Sequence, residues 1–428
     1  MAFRTILFLG PMCACLLGGM GDGHGQAPHL RGEASLAGVL SDAPGARRQL
    51  LARYLPELNG ALSVSGQLMA DISVSANLWS SRSSPKGEDA AAIAGEGVDP
   101  HRAWLRVSTP RLEVRAGLQR ISFGSAGVLR PLMWFDRLDP RDPLQLTEGV
   151  WALLGRAYLP GNAMVWAWAV RGDGDVKGWE LLPGEKGKVE GGGRVQVPLG
   201  PGEVGASYHH RRLDLADLGS SAPDAPPPGG REDRFGIDAK WDVEVGLWVE
   251  AEFTRQDSEA LRETWVRAIT AGVDYTFGLG NGLTVLAEHM VKETPSPVLP
   301  SQVPGPGEGA PSHFRFAGPG NGAQSAPGEP GEGAGPLLIP TLRLTALTAS
   351  YPLGVLDRVG LAVYRDWEGG DWFRLLEWRR TYDRWRIHLL GFWNPGVGGL
   401  FPSDGPGGPG SSGSLAGSGA QLIVVFNH

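Results

Sequence analysis

Cysteine is almost missing from this chain: its two, Cys13 and Cys15, both fall in the first fifteen residues. If that leader is removed, the mature protein has neither disulfides nor thiol chemistry. Long apolar runs are missing as well. After the N-terminus no stretch approaches the roughly 18 uninterrupted apolar residues that a spanning helix needs, so any membrane crossing must use strands. A basic surplus is absent too, since the net charge is -7, and this argues against nucleic acid as a partner. No Gly-x-Ser-x-Gly, His-Glu-x-x-His or phosphate-binding glycine loop occurs. The glycine-rich stretches at 191–193, 304–335 and 405–419 read as solvated loops. The histidines do not assemble: His209 and His210 point to opposite faces of one strand, and His289 and His388 lie far away. The sequence therefore points away from an enzyme, with no catalytic residue, metal or cofactor expected.

What is abundant is turn-forming and aromatic. Sixty-five glycines, thirty-four prolines and fifteen tryptophans suit many short strands joined by turns. The opening "MAFRTILFLGPMCACLLGG" has the build of a secretory signal, and residues 1–27 are expected to be removed after "GQA" at Ala27. Lipidation at Cys15 and anchoring by the uncleaved segment are the alternatives. Residues 28–58 read as a periplasmic segment with a short helix, because Leu50, Leu51, Tyr54 and Leu58 of "ARRQLLARYLPEL" share one helical face. Residues 59–428 form the remaining unit.

From residue 60 the period is two. In "TWVRAITAGVDYTF" the odd positions from Trp265 to Phe277 are apolar apart from Arg267, and the even ones are small or polar. Trp265 and Tyr275 would stand about 25 Å apart along a tilted strand, the height of an outer-membrane apolar band. Roughly sixteen strands (14–18) fit the pattern, an all-β, antiparallel up-and-down transmembrane barrel. The links alternate in length. Short ones are "TPR", "LPGN", "GPG", "DVE", "GLGNG", "LG" and "TYD"; long ones include 80–101, 119–148, 172–189, 212–232, 293–339 and 394–418. A barrel with one periplasmic and one exterior rim sorts its loops in this way, and aromatic residues recur at both strand ends.

The layout resembles that of porin-class outer-membrane β-barrels. One stretch is more specific: "GLQRISFGSAGVLRPLMWFDRLDPRDP" is similar to a segment of uncharacterised porin-like outer-membrane proteins, through Gly117, Gln119, Arg120, Phe123, Gly124, Pro131, Asp136, Pro140 and Asp142. The terminal "GAQLIVVFNH" resembles the closing strand that assembly machinery recognises in such barrels, although Asn427 and His428 depart from the terminal Phe. In the loop 119–148, Asp136, Arg137, Asp139, Arg141 and Asp142 alternate in sign. They read as a compact paired loop, as a constriction, or as a Ca²⁺ site. Arg106, Arg115, Arg358, Arg384 and Arg386 are expected to line one wall of the pore and Asp238, Glu250, Glu252 and Asp274 the opposite wall, giving a transverse field. The expected function is passive or weakly selective diffusion of small polar solutes across the outer membrane of a Gram-negative bacterium. A non-conducting surface barrel and an outer-membrane hydrolase are the alternatives. The partners expected are outer-membrane lipid, the barrel assembly machinery and small polar solutes, with homo-oligomerisation left open.

Overall fold

Residues of alternating character can satisfy every backbone polar group inside a membrane only if the sheet they build closes on itself. The computed structural model shows such a closure. It describes residues 25–42, 47–85, 93–137, 141–180, 182–215, 229–258, 264–293, 297–298, 337–338, 341–395 and 415–428. The strands are β1 (Gly25–Ser41), β2 (Arg47–Ser65), β3 (Leu68–Pro85), β4 (Ile93–Ser108), β5 (Leu112–Gln119), β6 (Val150–Tyr158) and β7 (Met164–Arg171). They continue as β8 (Val189–Leu199), β9 (Gly202–Asp214), β10 (Gly229–Val243), β11 (Val245–Ser258), β12 (Thr264–Phe277) and β13 (Leu283–Glu293). The last are β14 (Pro297–Val298), β15 (Leu337–Leu338), β16 (Leu342–Pro352), β17 (Asp357–Asp366), β18 (Trp372–Thr381), β19 (Trp385–Trp393) and β20 (Ser418–Asn427). Among the described residues β14 and β15 pair only with each other, and the other strands form one 18-stranded antiparallel sheet. β1 closes it against β20, from Glu33↔Asn427 to Ser41↔Gly419, so the barrel has no free edge.

Two expectations are corrected. The barrel has 18 strands rather than about sixteen, and the described residues of 28–58 hold no helix. The helical spacing of Leu50, Leu51, Tyr54 and Leu58 also contains a strand pattern. Leu50 and Leu58 are exposed on the outer face while Arg53 is buried inside. A bilayer rewards the strand reading, because only in a strand do these alternate residues face lipid together. Residues 60–79, one alternating run in the sequence, are the end of β2 and the start of β3, joined by a tight turn that pairs Ser65 with Leu68. The expected loop 80–101 is shorter than expected, since β3 runs to Pro85 and β4 starts at Ile93. The leader up to residue 24 lies outside the described residues.

The outer face is apolar and ringed. Trp265, Ile269, Val273 and Tyr275 of β12 are exposed, as are Leu247 and Val249 of β11. An exposed apolar surface this continuous is a lipid contact. At one end of the strands Tyr208, Phe235 and Trp265 form a row, with centroids 5.3 and 6.5 Å apart. At the other end Trp385 and Phe426 stand 4.6 Å apart, and the terminal His428 stacks on Tyr54 at 5.8 Å. The packed core, in contrast, lies within the barrel. One cluster joins Met290, Leu344, Tyr364, Phe373, Leu375 and Phe392 to Leu129 and Trp179, and another joins Leu154, Trp168 and Val170 to Phe123, Leu132, Trp134 and Phe135.

Candidate constriction formed by two infolded segments

The segment between β5 and β6 supplies much of that interior. It leaves the wall beside Gly117 and returns at Gly149, both with positive φ and both lying where a Cβ would meet neighbouring backbone. Gln119 Nε2 donates to the Ala152 carbonyl at 2.9 Å and fastens the exit point. Ile121, Phe123, Leu129, Leu132, Trp134 and Phe135 are then all buried.

Wall carboxylates hold the backbone of this segment. Glu288 on β13 accepts three consecutive amides, from Gly127 at 2.6 Å, Val128 at 3.0 Å and Leu129 at 2.5 Å, and the Trp248 indole N–H at 2.8 Å. Glu250 on β11 accepts the Ala126 amide at 2.9 Å and the Leu132 amide at 2.5 Å. Asp238 on β10 accepts the Ser125 hydroxyl at 3.0 Å, and both of its oxygens take bonds from Arg194, at 2.5 and 3.0 Å. A loop inside a barrel has no ladder partners, and buried amides without acceptors are costly. Carboxylates projecting from the wall provide those acceptors. Gly124 is needed for the approach, since a Cβ there would run into the Glu250 carboxylate.

The return limb is held by arginines. Arg102 on β4 donates to the Glu148 carbonyl at 3.0 Å, the Thr147 carbonyl at 3.1 Å and the Thr147 hydroxyl at 2.5 Å. Arg137 donates to Glu148 at 2.8 Å. Asp136 accepts its neighbour's amide from Arg137 at 3.0 Å, and Arg120 stands 3.4 Å away. Burial pushes the Asp136 carboxyl up from its ordinary range, against the opposing pull of Arg120 and Arg102. Asp142 receives the Leu144 amide at 2.9 Å, and Arg141 lies over the Phe373 ring at 5.9 Å. Asp139 lies outside the described residues.

A second segment, 172–188, docks on the first. The Gly178 amide donates to the Asp136 carbonyl at 2.9 Å, and the Trp179 indole to the Arg130 carbonyl at 3.1 Å. Glu180 then reaches Arg211 and Arg234 on the wall, at 2.9 and 2.7 Å.

Most of the residues expected to line two walls of opposite sign stand among charges of the other sign. Asp238 and Glu250 are brought together against the infolded segment. Glu252 is buried nearby beside the Thr254 hydroxyl, at 3.1 Å, and Asp274 stands apart on the inner face near Gly246. Arg106 pairs with Asp71 at 2.9 Å, and Arg115 with Glu113 at 3.1 Å while lying 4.7 Å over Trp104. Arg386 pairs with Glu33 at 2.5 Å, and Arg358 is exposed opposite Arg379. Arg384 belongs to the β18–β19 turn, and its carbonyl accepts the Asn427 amide at 2.8 Å. Charges withdrawn from bulk water take counterions from the next strand, so acids and bases interleave around the wall. Glu113 shows this best, with Arg115, Arg156 and Arg106 at 3.1, 3.6 and 3.7 Å.

Glu288, Arg194, Glu180, Arg211 and Arg234 were not singled out by the sequence. Glu288 had a usable signal, since register places it on the same inner face as Thr270 and Asp274. Glu180 had none, because loop docking leaves no period.

His209 is buried between Trp168 and Glu190, at 3.1 and 3.3 Å. His210 faces outward and meets Asp233 at 2.8 Å.

No family model matches the chain, and no curated protein does. Solved structures match along nearly its whole length. OccD3 of Pseudomonas aeruginosa gives a TM-score of 0.54 at 9% identity, covering 94% of this chain and 91% of that one. OccK5 of the same organism gives 0.52 at 13%, covering 94% and 97%. The anion-selective porin from Comamonas acidovorans gives 0.47 at 11%, covering 95% and 100%. With its closed sheet and exposed apolar belt, the chain has the fold of a porin-class β-barrel of the Gram-negative outer membrane.

Proposed function

We propose that this barrel is a porin-like channel for passive, weakly selective diffusion of small polar solutes, with the segment 120–149 setting its aperture. The observation that carries the reading is the anchoring of that segment across the interior by Glu250 and Glu288. The inner face of β4 to β6 beside it keeps charged side chains in contact with water, with Arg106 and Arg156 still 31% and 19% exposed. A segment held by its backbone leaves side chains free to set selectivity. In this reading the chain meets outer-membrane lipid on its outer face, the assembly machinery through β20, and small polar solutes inside; association into homo-oligomers is compatible with it. Planar-bilayer recording on purified, folded barrel is the test. Discrete conductance steps support the channel, and correctly inserted protein without conductance at any voltage refutes it.

The apolar cluster from Met290 to Phe392 favours a second reading, because it packs one side of the interior against Leu129 and Trp179. A barrel closed in that way would serve as a non-conducting surface component acting through the long link 294–341. Removing residues 299–336 separates the two, since permeation survives in a channel and partner binding is lost in a surface component.

A further inference from the structure

Arginine stands opposite arginine on the outer wall. Register places Arg212 of β9 directly across from Arg231 of β10, and both side chains face outward and are exposed. Like charges directly opposite each other on adjacent strands are destabilising. Arg231 meets Asp257 of β11 at 3.1 Å, while among the described residues no acid stands within ion-pair distance of Arg212. Asp233, the next acid on this face, is held by the Tyr208 hydroxyl at 2.7 Å and by His210 at 2.8 Å. Asp214 lies past the pair, opposite Gly229 where the two strands end. The wall therefore leaves the pair incompletely neutralised.

The depth of the pair is set by the rings beneath it. Long links leave from this end of the strands, the exterior one in the porin-class layout, and Tyr208 and Phe235 each lie four residues nearer the middle on the same face. Their ring centroids are 5.3 Å apart, and four residues of a tilted strand rise roughly 10 Å. Aromatic rows of this kind mark the edge of the hydrocarbon layer. Ile237 continues the exposed apolar belt below them. Guanidinium forks suit phosphate oxygens. We propose that Arg212 and Arg231 hold the phosphate of an outer-leaflet lipid whose acyl chains run down the belt past Tyr208, Phe235 and Ile237. The anion relieves the repulsion between the two arginines, and the chains cover the exposed rings. A free phosphate ion would use the first feature only. The site lies on the lipid-facing side of the wall, so it holds whether or not the barrel conducts.

The test is binding of diphosphoryl lipid A, or of the same lipid stripped of its phosphates, to the purified full-length barrel in an uncharged detergent, with bound lipid counted by native mass spectrometry. Wild type should bind the phosphorylated lipid at least about tenfold more tightly than the stripped one, the difference made by roughly one charge-assisted bond. R212A/R231A should lose that preference. R374A removes an exposed arginine that stands opposite Trp393 rather than opposite a second base, and it should bind as wild type does. Equal binding of the two lipids by wild type overturns the proposal, and so does a folded double variant that keeps the preference or an R374A variant that loses it. Displacement of the lipid by millimolar sodium phosphate, but not by sodium chloride of equal ionic strength, overturns it in favour of a free anion. Should the alanine variant fail to fold, R212Q/R231Q decides in its place.

Discussion

Replacing Glu288 and Glu250 by glutamine tests the constriction directly. Glu288 accepts four hydrogen bonds and Glu250 two, all from the infolded segment or from Trp248. Bonds to a charged acceptor contribute roughly 1.5 to 3 kcal/mol each, and a glutamine presents one acceptor oxygen and one donor where two acceptors stood. Losing two bonds at Glu288 and one at Glu250 would then cost about 4.5 to 9 kcal/mol of local anchoring. Coupling between the two sites pulls the sum toward the lower end. Even about 4 kcal/mol shifts the docked and released populations of the segment by nearly a thousandfold. The barrel wall, held by its own ladder, should persist. In planar bilayers E288Q/E250Q should give at least about twice the single-channel conductance of wild type, with greater open-state noise, because a released loop no longer fixes the constriction. Heat-modifiable gel migration checks that the barrel remains folded. A folded double variant with wild-type conductance and noise would show that these carboxylates do not position an aperture.

Three further outcomes follow from the same contacts. G124A should lower the unfolding temperature and loosen the segment by about 1 to 3 kcal/mol, since its backbone is strained for any other residue and its Cβ meets Glu250; amide exchange over residues 121–135 measures the loosening. R102A should expose the return limb at Thr147 and Glu148 to protease by removing the donor to both, at a cost of roughly 2 to 4 kcal/mol. Because burial raises the Asp136 carboxyl above its unfolded value, its protonated form is favoured in the fold. Its contribution is therefore present below the ordinary carboxylate range and lost as pH rises through the raised value. The segment's amide-exchange protection, wild type minus D136N, should accordingly rise on acidification, and a difference independent of pH would remove Asp136 from the account.

The barrel was legible because lipid and water sort strand residues by parity, and parity survives in one sequence. Trp265, Ile269, Val273 and Tyr275 fall on the exposed face as alternation requires. The links announced as short do join adjacent strands, with Val243 pairing directly to Val245 across Glu244. What failed was the strand number, and the failure has a local cause. In 47–58, leucines at spacings of one, three and four satisfy a helix and a strand at once, and only the bilayer distinguishes them. At residues 66–67 a single glycine marks a hairpin too weakly to divide one long alternating run.

The interior was less legible because alternation says which face a residue occupies and nothing about what that face meets. Parity places Asp238, Glu250 and Glu252 on the inner face, and all three are buried. Their neighbours were missing from the reading. A wall acid in an open pore faces water and adds its charge to a field, whereas a wall acid beneath a docked loop spends its lone pairs on amides. The acidic run "FDRLDPRDP" shows the reverse case. Its aspartates and arginines recur as a ligand cluster would, yet Asp136, Arg137 and Asp142 bond within their own limb or to its immediate neighbours. Alternating signs at short spacing let a loop settle its charges locally. Only after that can its apolar neighbours, Leu132, Trp134 and Phe135, be carried into the barrel. The apolar "LMWF" beside that charged stretch is therefore the stronger sign of infolding: large apolar side chains in a loop need a wall to pack against, and in this barrel Leu132, Trp134 and Phe135 find it on the inner face of β6 and β7.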